Sequence, residues 1–338
     1  ELARGMLTGV RPTKLVMQKL EAGLDQVQIR KFLEEEYCVT KEKAELAYEI
    51  ACREKEQLGK LNAGEGFSLY VGIPFCPSIC SYCSFSSSPV GEGKDKIDAY
   101  LDALIKELKA LGTMAGERKP DTVYVGGGTP TTLEAGQLDR LLGTIRNCFD
   151  LSELKEFTVE AGRPDSITRE KLEVIRRYPV TRISVNPQTM QQKTLDLVGR
   201  KHTVEDVEHI FHMARELGFD NINMDLIAGL PFEDYERFQQ SFDDIYALHP
   251  QQLQLGFLKV LKGSAMEEEA ADYGVVYRRK PPYEVLYTRD LPYADMIRLK
   301  AVEEMTEVYY NSGQFPATMK LLEKKFARPS EIFTSLAE

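Results

Sequence analysis

Six short runs of β-branched and apolar residues, SLYVGI, TVYVG, EFTVEA, TRISV, NINMDLI and QLQLGFL, recur along the chain with helical stretches between them. One such stretch carries Ile97, Leu101, Leu104, Leu108 and Leu111 as a single stripe. Another carries Val204, Val207, Ile210, Phe211, Ala214 and Leu217. Strand–helix units in this order predict an α/β fold with a parallel sheet and right-handed crossovers. Eight units would close a barrel, so six predict a partial (β/α)6 barrel. In such a sheet ligands gather at the carboxyl ends of the strands. The segments PFCPSIC, GGGTP, EAGRPD, NPQT and AGLP all fall there.

Three regions are expected. Residues 1–64 are rich in Glu, Lys, Leu and Ala without a strand run and read as a helical appendage, ending at the linker NAGEGFS. Residues 65–258 form the partial barrel. Residues 259–338 read as mostly helical, with a helix through ADMIRLKAVEEMTEVYYNSGQF that stops at Gly313, behind a Pro- and Tyr-rich connector whose tyrosines are expected to pack the tail on the barrel. A net charge of −10 argues against non-specific nucleic-acid binding, which needs clustered Lys and Arg. No apolar run reaches the roughly 18 residues of a membrane span, and the first residues lack signal-peptide order, so a cytoplasmic protein is expected. The sequence begins at Glu1, which leaves open whether residues precede it.

Chemistry concentrates in YVGIPFCPSICSYCSF. Cys76, Cys80 and Cys83 form a C-x3-C-x2-C pattern, while Cys38, Cys52 and Cys148 lie singly in helical patterns, which is no disulfide framework. Cys148 continues the apolar face of Leu138, Leu141, Leu142 and Ile145 and reads as a buried thiol. Structural zinc normally takes four Cys or His ligands, and no fourth lies nearby. A four-iron cluster has one ligand per iron, so three thiolates leave one iron open. The second motif, VYVGGGTPTTL, ends a strand in three glycines, Gly126, Gly127 and Gly128, where backbone can approach a ligand closely. It is neither a Walker loop nor a dinucleotide fingerprint. His209 and His212 lie three apart on one helix, and with no third ligand evident they read as solvated or capping residues.

The cysteine spacing, with Tyr82 before the last thiol, resembles the radical S-adenosylmethionine (SAM) superfamily. From about residue 8 to 230 the segments GVRPTK, YVGIPFCPSICSYCSF, VYVGGGTPTTL, FTVEAGRP, RISVNPQTM, LVGRKHT and NINMDLIAGLP resemble the oxygen-independent coproporphyrinogen III oxidase (dehydrogenase) family. The resemblance implies a barrel of the radical SAM type whose Cys76, Cys80 and Cys83 ligate a [4Fe-4S] cluster. Tyr70 and Tyr82 would flank the cluster and the adenine, and Gly127, Gly128 and Thr129 would contact the methionyl amine. Glu160, Gln188, Arg200 and Asp225 match positions that hold SAM in the family. On the residues alone, the two acids could equally be helix caps, Arg200 a surface charge and Gln188 a turn residue.

The chemistry so implied is reductive cleavage of SAM to a 5′-deoxyadenosyl radical, which takes hydrogen from two propionates of coproporphyrinogen III on the way to protoporphyrinogen IX in heme biosynthesis. The implied partners are a small-molecule substrate, a porphyrinogen, and an electron donor such as a flavodoxin or ferredoxin. Two departures stand beside this. Members carry a further cysteine, linked to turnover, where this chain has Phe85. The tail after about residue 230 is more similar to cobalamin-associated radical SAM proteins, so the chain reads as a hybrid. A heme-binding chaperone-like relative and a radical SAM enzyme of different substrate are the alternatives.

Overall fold

The computed structural model describes residues 13–59 and 66–338, apart from the side chains of residues 92–95. The chain divides into two compact units, Glu1–Phe67 and Ser68–Glu338. Most of the expected linker, and the start of GVRPTK, lie outside the described residues.

The first unit contains three helices, α1 (Thr13–Glu21), α2 (Gln26–Tyr37) and α3 (Lys41–Leu58). They enclose a small core of Val16, Ile29, Leu33, Val39, Ala44 and Ala51. Asp25 and Gln28 start α2 with a reciprocal capping box, and Cys38 ends it in the left-handed region at φ 53°. Cys38 is exposed there.

The second unit is built on one six-stranded sheet whose strands lie in chain order. They are β1 (Phe67–Ile73), β2 (Pro120–Gly127), β3 (Glu156–Glu160), β4 (Arg182–Ser184), β5 (Ile222–Ala228) and β6 (Gln252–Phe257). All six runs expected from the sequence are strands, and the ladders from β2 to β6 are parallel. Helices α4 (Val90–Ala115), α5 (Ala135–Cys148), α6 (Arg169–Arg176), α7 (Gln192–Leu197), α8 (Val204–Glu216) and α9 (Tyr235–Ala247) supply the crossovers. The register Val125↔Val159↔Ile183↔Ile222 places one apolar row on a single face. Leu138, Leu141, Leu142 and Ile145 of α5 are fully buried. The α4 stripe differs from the expected one at its end. Ile105 is buried whereas Leu111, one further i+3 step along the same stripe, is exposed, because it lies near the end of the helix beyond the neighbours that cover Ile97, Leu101, Ile105 and Leu108.

The opposite face of the sheet alternates out of register with the apolar one and is polar. Arg182 of β4 reaches Glu156 at 3.8 Å, Asn223 at 3.3 Å and Gln252, tying four neighbouring strands across their lower halves. The upper halves of the strands, toward their carboxyl ends, carry Glu160 and Asp225 on this same face.

Beyond β6 come the helices α10 (Ala265–Glu269), α11 (Tyr293–Met305), α12 (Pro316–Leu322) and α13 (Pro329–Ala337), with a long non-helical stretch between α10 and α11. Two connector segments, Val276–Tyr277 and Val285–Tyr287, pair antiparallel. The connector tyrosines pack only in part as expected: Tyr273 meets Phe232 edge-on at 5.9 Å, whereas Tyr287 and Tyr293 are exposed and the buried positions beside them go to Val285 and Leu291. The tail is anchored instead from α9, where Phe242 meets Phe333 edge-on at 5.3 Å and Asp243 pairs with Arg328 at 2.7 Å. The expected stop at Gly313 has φ 64°, preceded by a π-helical turn over Thr306–Asn311. That turn presents Asn311 to the free edge of β6, where its amide accepts from Leu253 N–H and donates to Leu253 C=O, both at 2.9 Å. A side chain here substitutes for a neighbouring strand. Asn311→Ala leaves both groups of a buried residue unpaired and should cost about 2 kcal/mol in denaturant unfolding. Glu307→Ala, which removes only an exposed partner of Asn311, should change stability by less than about 0.5 kcal/mol.

Candidate active site

The loop that carries the cysteines is closed at its base by Phe75–Cys76 pairing with Ser88–Pro89. Its far side is fastened to the turn after α7 and to the start of α10, through Ser81 N–H to Val198 C=O at 3.1 Å and Met266 N–H to Ser81 C=O at 2.7 Å. The glycine loop after β2 turns across the end of β1. Gly128 N–H donates to Ile73 C=O at 2.8 Å and Thr129 N–H to Phe75 C=O at 2.7 Å. Gly127 has φ 106°, and a Cβ on Gly128 would lie 2.7 Å from Phe75 O and 3.0 Å from Cys76 Sγ. Only glycine meets both conditions.

These loops border a cavity of about 290 Å³ at the carboxyl ends of the strands. Cys76, Cys80, Cys83, Tyr82, Gly127, Gly128, Thr129, Glu160, Gln188, Arg200 and Asp225, eleven of the twelve residues singled out in the sequence, line it together. The twelfth, Tyr70, does not. It lines an adjoining pocket of about 310 Å³ with Phe85 and Tyr100, and stacks on Tyr124 at 5.8 Å. As an inner-face residue of β1, it sits below the level of the cysteine loop. Phe85 borders both spaces and is 69% exposed.

The polar groups divide by charge. Tyr124 O–H and Gly127 N–H both donate to Glu160, yet burial still raises its carboxyl above the ordinary range. Asp225 takes a hydrogen bond from Asn223 at 2.7 Å, and burial, with Glu160 nearby, pushes it up to about 6. Gln188 is held at φ 71° by pairing with β5, donating to Asp225 C=O at 3.0 Å and accepting from Ile227 N–H at 2.8 Å. Just behind it, Thr189 O–H donates to Glu233, a buried carboxyl raised to about 7 by desolvation.

On the cysteine side, Arg200 is 5% exposed and donates to Gly162 C=O at 3.0 Å, to Asn186 C=O and to Tyr82 O–H at 3.3 Å. Burial raises the Tyr82 hydroxyl strongly and the Cys83 thiol as well. His202 is buried with neither ring nitrogen partnered, and burial beside Arg200 lowers it to about 4, so it is neutral. His209 and His212 are both exposed on α8. Cys148 is only half-buried.

Sequence reasoning missed Arg163, Asn186 and Tyr124. Arg163 and Asn186 line the cavity. EAGRPD and NPQT were recognised as strand-end segments, but Arg-Pro-Asp and Asn-Pro read locally as turns. Tyr124 was legible from period two, one pleat below Gly126.

Among the described residues no three His, Cys, Asp or Glu side chains converge as ligands of one metal ion. A four-iron cluster makes a different demand, because its thiolates go to separate irons and need not meet at one point. The donor set fits such a group. Three thiols border one cavity, two buried guanidiniums face Cys80, and Asn186 Oδ1 and Arg200 Nε are buried without partners.

Residues 70–245 match the model of the radical SAM superfamily, and residues 271–338 match that of a protein family of unknown function. The oxygen-independent coproporphyrinogen-III oxidase-like protein HemZ of Bacillus subtilis is 39% identical over 280 residues, 82% of this chain and 56% of that protein. The heme chaperone HemW of the same organism is 39% identical over 184 residues, 54% of this chain and 47% of that protein. The structure of coproporphyrinogen III oxidase (HemN) from Escherichia coli, a radical SAM enzyme, superposes with a TM-score of 0.54 at 25% identity, over 73% of this chain and 62% of that one. The chain spans about half the length of the curated relatives it matches. No helix among the described residues is long and apolar enough to cross a membrane.

The raised Asp225 gives a signed prediction for the metal-free protein. A folded value of about 6 against an ordinary 3.8 means that the fold favours the protonated acid. That contribution is full below about pH 4 and is lost as pH rises through 6, after which the buried carboxylate costs about 3 kcal/mol. Asp225→Asn, which keeps the Asn223 contact, should therefore be more stable than the parent at pH 8 and equal to it at pH 4, measured by denaturant unfolding across that range.

Proposed function

The chain belongs to the radical SAM superfamily, and we propose that Cys76, Cys80 and Cys83 hold a [4Fe-4S] cluster beside SAM in the cavity at the barrel mouth. The observation that carries this is the gathering of three thiols, the glycine loop and the polar set Glu160, Gln188, Arg200 and Asp225 around one open cavity. When bound, the reduced cluster would supply one electron for reductive cleavage of SAM, the chemistry by which this superfamily initiates hydrogen abstraction from a substrate carbon.

The chain's own residues position SAM. Gly127, Gly128 and Thr129 present backbone groups and a hydroxyl to the methionyl amine. Glu160 and Asp225 offer acceptors to the cationic parts of SAM, Gln188 is fixed in place by its pairing with β5, and Arg200 faces anionic charge. The polar layer around Arg182 ties β3 to β6 together below the site.

Within this class the substrate we favour is coproporphyrinogen III, decarboxylated oxidatively to protoporphyrinogen IX with electrons passed through a flavodoxin- or ferredoxin-type donor. The extent of similarity to the oxidase-like relative supports it. A second reading, heme binding without turnover, is favoured by the similarity to heme chaperones and by Phe85 at the position of the further cysteine.

Anaerobically reconstituted, dithionite-reduced protein should form 5′-deoxyadenosine from SAM, and Cys80→Ala should lower the yield by at least about 100-fold. A rise in yield with coproporphyrinogen III, together with vinyl product, separates the oxidase from the chaperone, for which heme binds and the yield stays flat. Unchanged cleavage in Cys80→Ala would defeat the cluster assignment. Because a cation between Glu160 and Asp225 favours their ionised forms, SAM binding should release protons near pH 6. Its affinity should rise with pH through that value, read by calorimetry in buffers of different ionisation enthalpy.

A further inference from the structure

Cys80 has surroundings unlike those of the other two thiols. Its Sγ lies 3.6 Å from Arg163 Nη1 and 3.8 Å from Arg200 Nη1, whereas Cys76 Sγ faces the Thr129 hydroxyl at 3.5 Å. Arg163 is 4% exposed and every arm of its guanidinium is engaged. Nε and Nη2 form a two-point pair with Asp165 at 3.0 and 2.7 Å, while Nη1 also donates to Ser78 C=O at 2.9 Å. The same nitrogen thus grips the loop backbone and faces the thiol two residues on.

The turn that presents Arg163 is itself pinned. Ser166 donates to Arg163 C=O through both N–H and O–H, and shares a 2.6 Å hydrogen bond with Thr131. The buried Lys171 ammonium joins the two loops through Thr131 C=O at 2.8 Å and Ser166 C=O at 3.1 Å. Arg163 therefore reaches the cysteine loop from a rigid support shared with the glycine loop. A fork held on one side by a carboxylate leaves the remaining nitrogen aimed in one direction.

We propose that Arg163, oriented by Asp165, is a positioning residue that holds the Ser78–Cys80 segment and donates to the Cys80 thiolate, setting the reduction potential of the cluster. This rests on the cluster reading given above. A donor to a ligating sulfur and a nearby positive charge both favour the state with one more electron, so they raise the potential of the one-electron couple. Asp165 opposes that effect by its charge while it fixes the geometry. The two residues consequently predict shifts of opposite sign, which a purely structural ion pair does not.

The test uses reconstituted holoprotein in an electron paramagnetic resonance titration with dithionite and mediator dyes, on the parent, Arg163→Gln, Arg163→Lys and Asp165→Asn. Arg163→Gln should shift the midpoint to more negative potential, Arg163→Lys should shift it less, and Asp165→Asn should shift it to more positive potential. Iron and sulfide content per chain, measured in parallel, should fall most in Arg163→Gln. If Arg163→Gln fails to fold, the lysine and asparagine variants still carry the sign test. A parent that assembles a cluster, with variants whose midpoints equal its own or move in one common direction, overturns the role of Arg163 alone. A parent that assembles no cluster overturns the reading of the cysteines and this inference with it.

Discussion

Two backbone hydrogen bonds, from Gly128 N–H to Ile73 C=O and from Thr129 N–H to Phe75 C=O, hold the end of β2 against the end of β1, and the site is assembled around them. They bring the Gly128 backbone so close that a Cβ there would lie 2.7 Å from Phe75 O, a separation that side chains do not tolerate, and 3.0 Å from Cys76 Sγ. The consequence runs outward from there. The same approach places Thr129 O–H on Cys76, points Gly127 N–H at Glu160 and fixes the base of the cysteine loop. A methyl group at residue 128 would have to move two loops at once, so the three successive glycines are a geometric requirement of the site and not a flexible tether.

The sheet was legible because period two and helical stripes are properties of short segments, and each of the six runs carries its own signal. What was not legible depends on distant partners. Leu111 continues the stripe of α4 in sequence, but which leucines are covered is settled by what packs beside them, and Ile105 takes that place. The π-helical turn at Thr306–Asn311 reads as plain helix, since nothing local shows that Asn311 will find the free edge of β6. Within the site, the thiols, glycines and the polar set were found from spacing and family resemblance. Arg163 escaped because a guanidinium in a Pro-containing turn carries no local mark of burial, and its partners lie two residues ahead in Asp165 and more than eighty residues back at Ser78 and Cys80.

The buried charges are separated in a way that burial alone does not produce. Arg163 and Arg200 lie against the cysteine loop, while Glu160 and Asp225 lie across the cavity on the inner face of the sheet. Placed together, they could have satisfied one another as ion pairs. Instead Asp225 keeps one Asn223 hydrogen bond and a raised pKa, and Arg200 Nε has no partner. Each costs stability in the empty protein. The cost is offset when the ligand is itself polarised, with negative charge facing the guanidiniums and positive charge facing the carboxyls.

A thiolate-bound cluster beside a molecule carrying a sulfonium and an ammonium group has that polarity. The backbone follows the same logic, since Gln188 is held in the left-handed region at roughly 1–2 kcal/mol, and only its pairing with β5 keeps its side chain at the rim. Strain, unpaired buried polar atoms and shifted acids coincide at one end of one sheet, while the opposite ends of β3 to β6 are joined by the hydrogen bonds and ion pair of Arg182. That contrast between a hydrogen-bonded layer and an unsatisfied one along the same strands is a physical argument, independent of any relative, for the site proposed at their carboxyl ends.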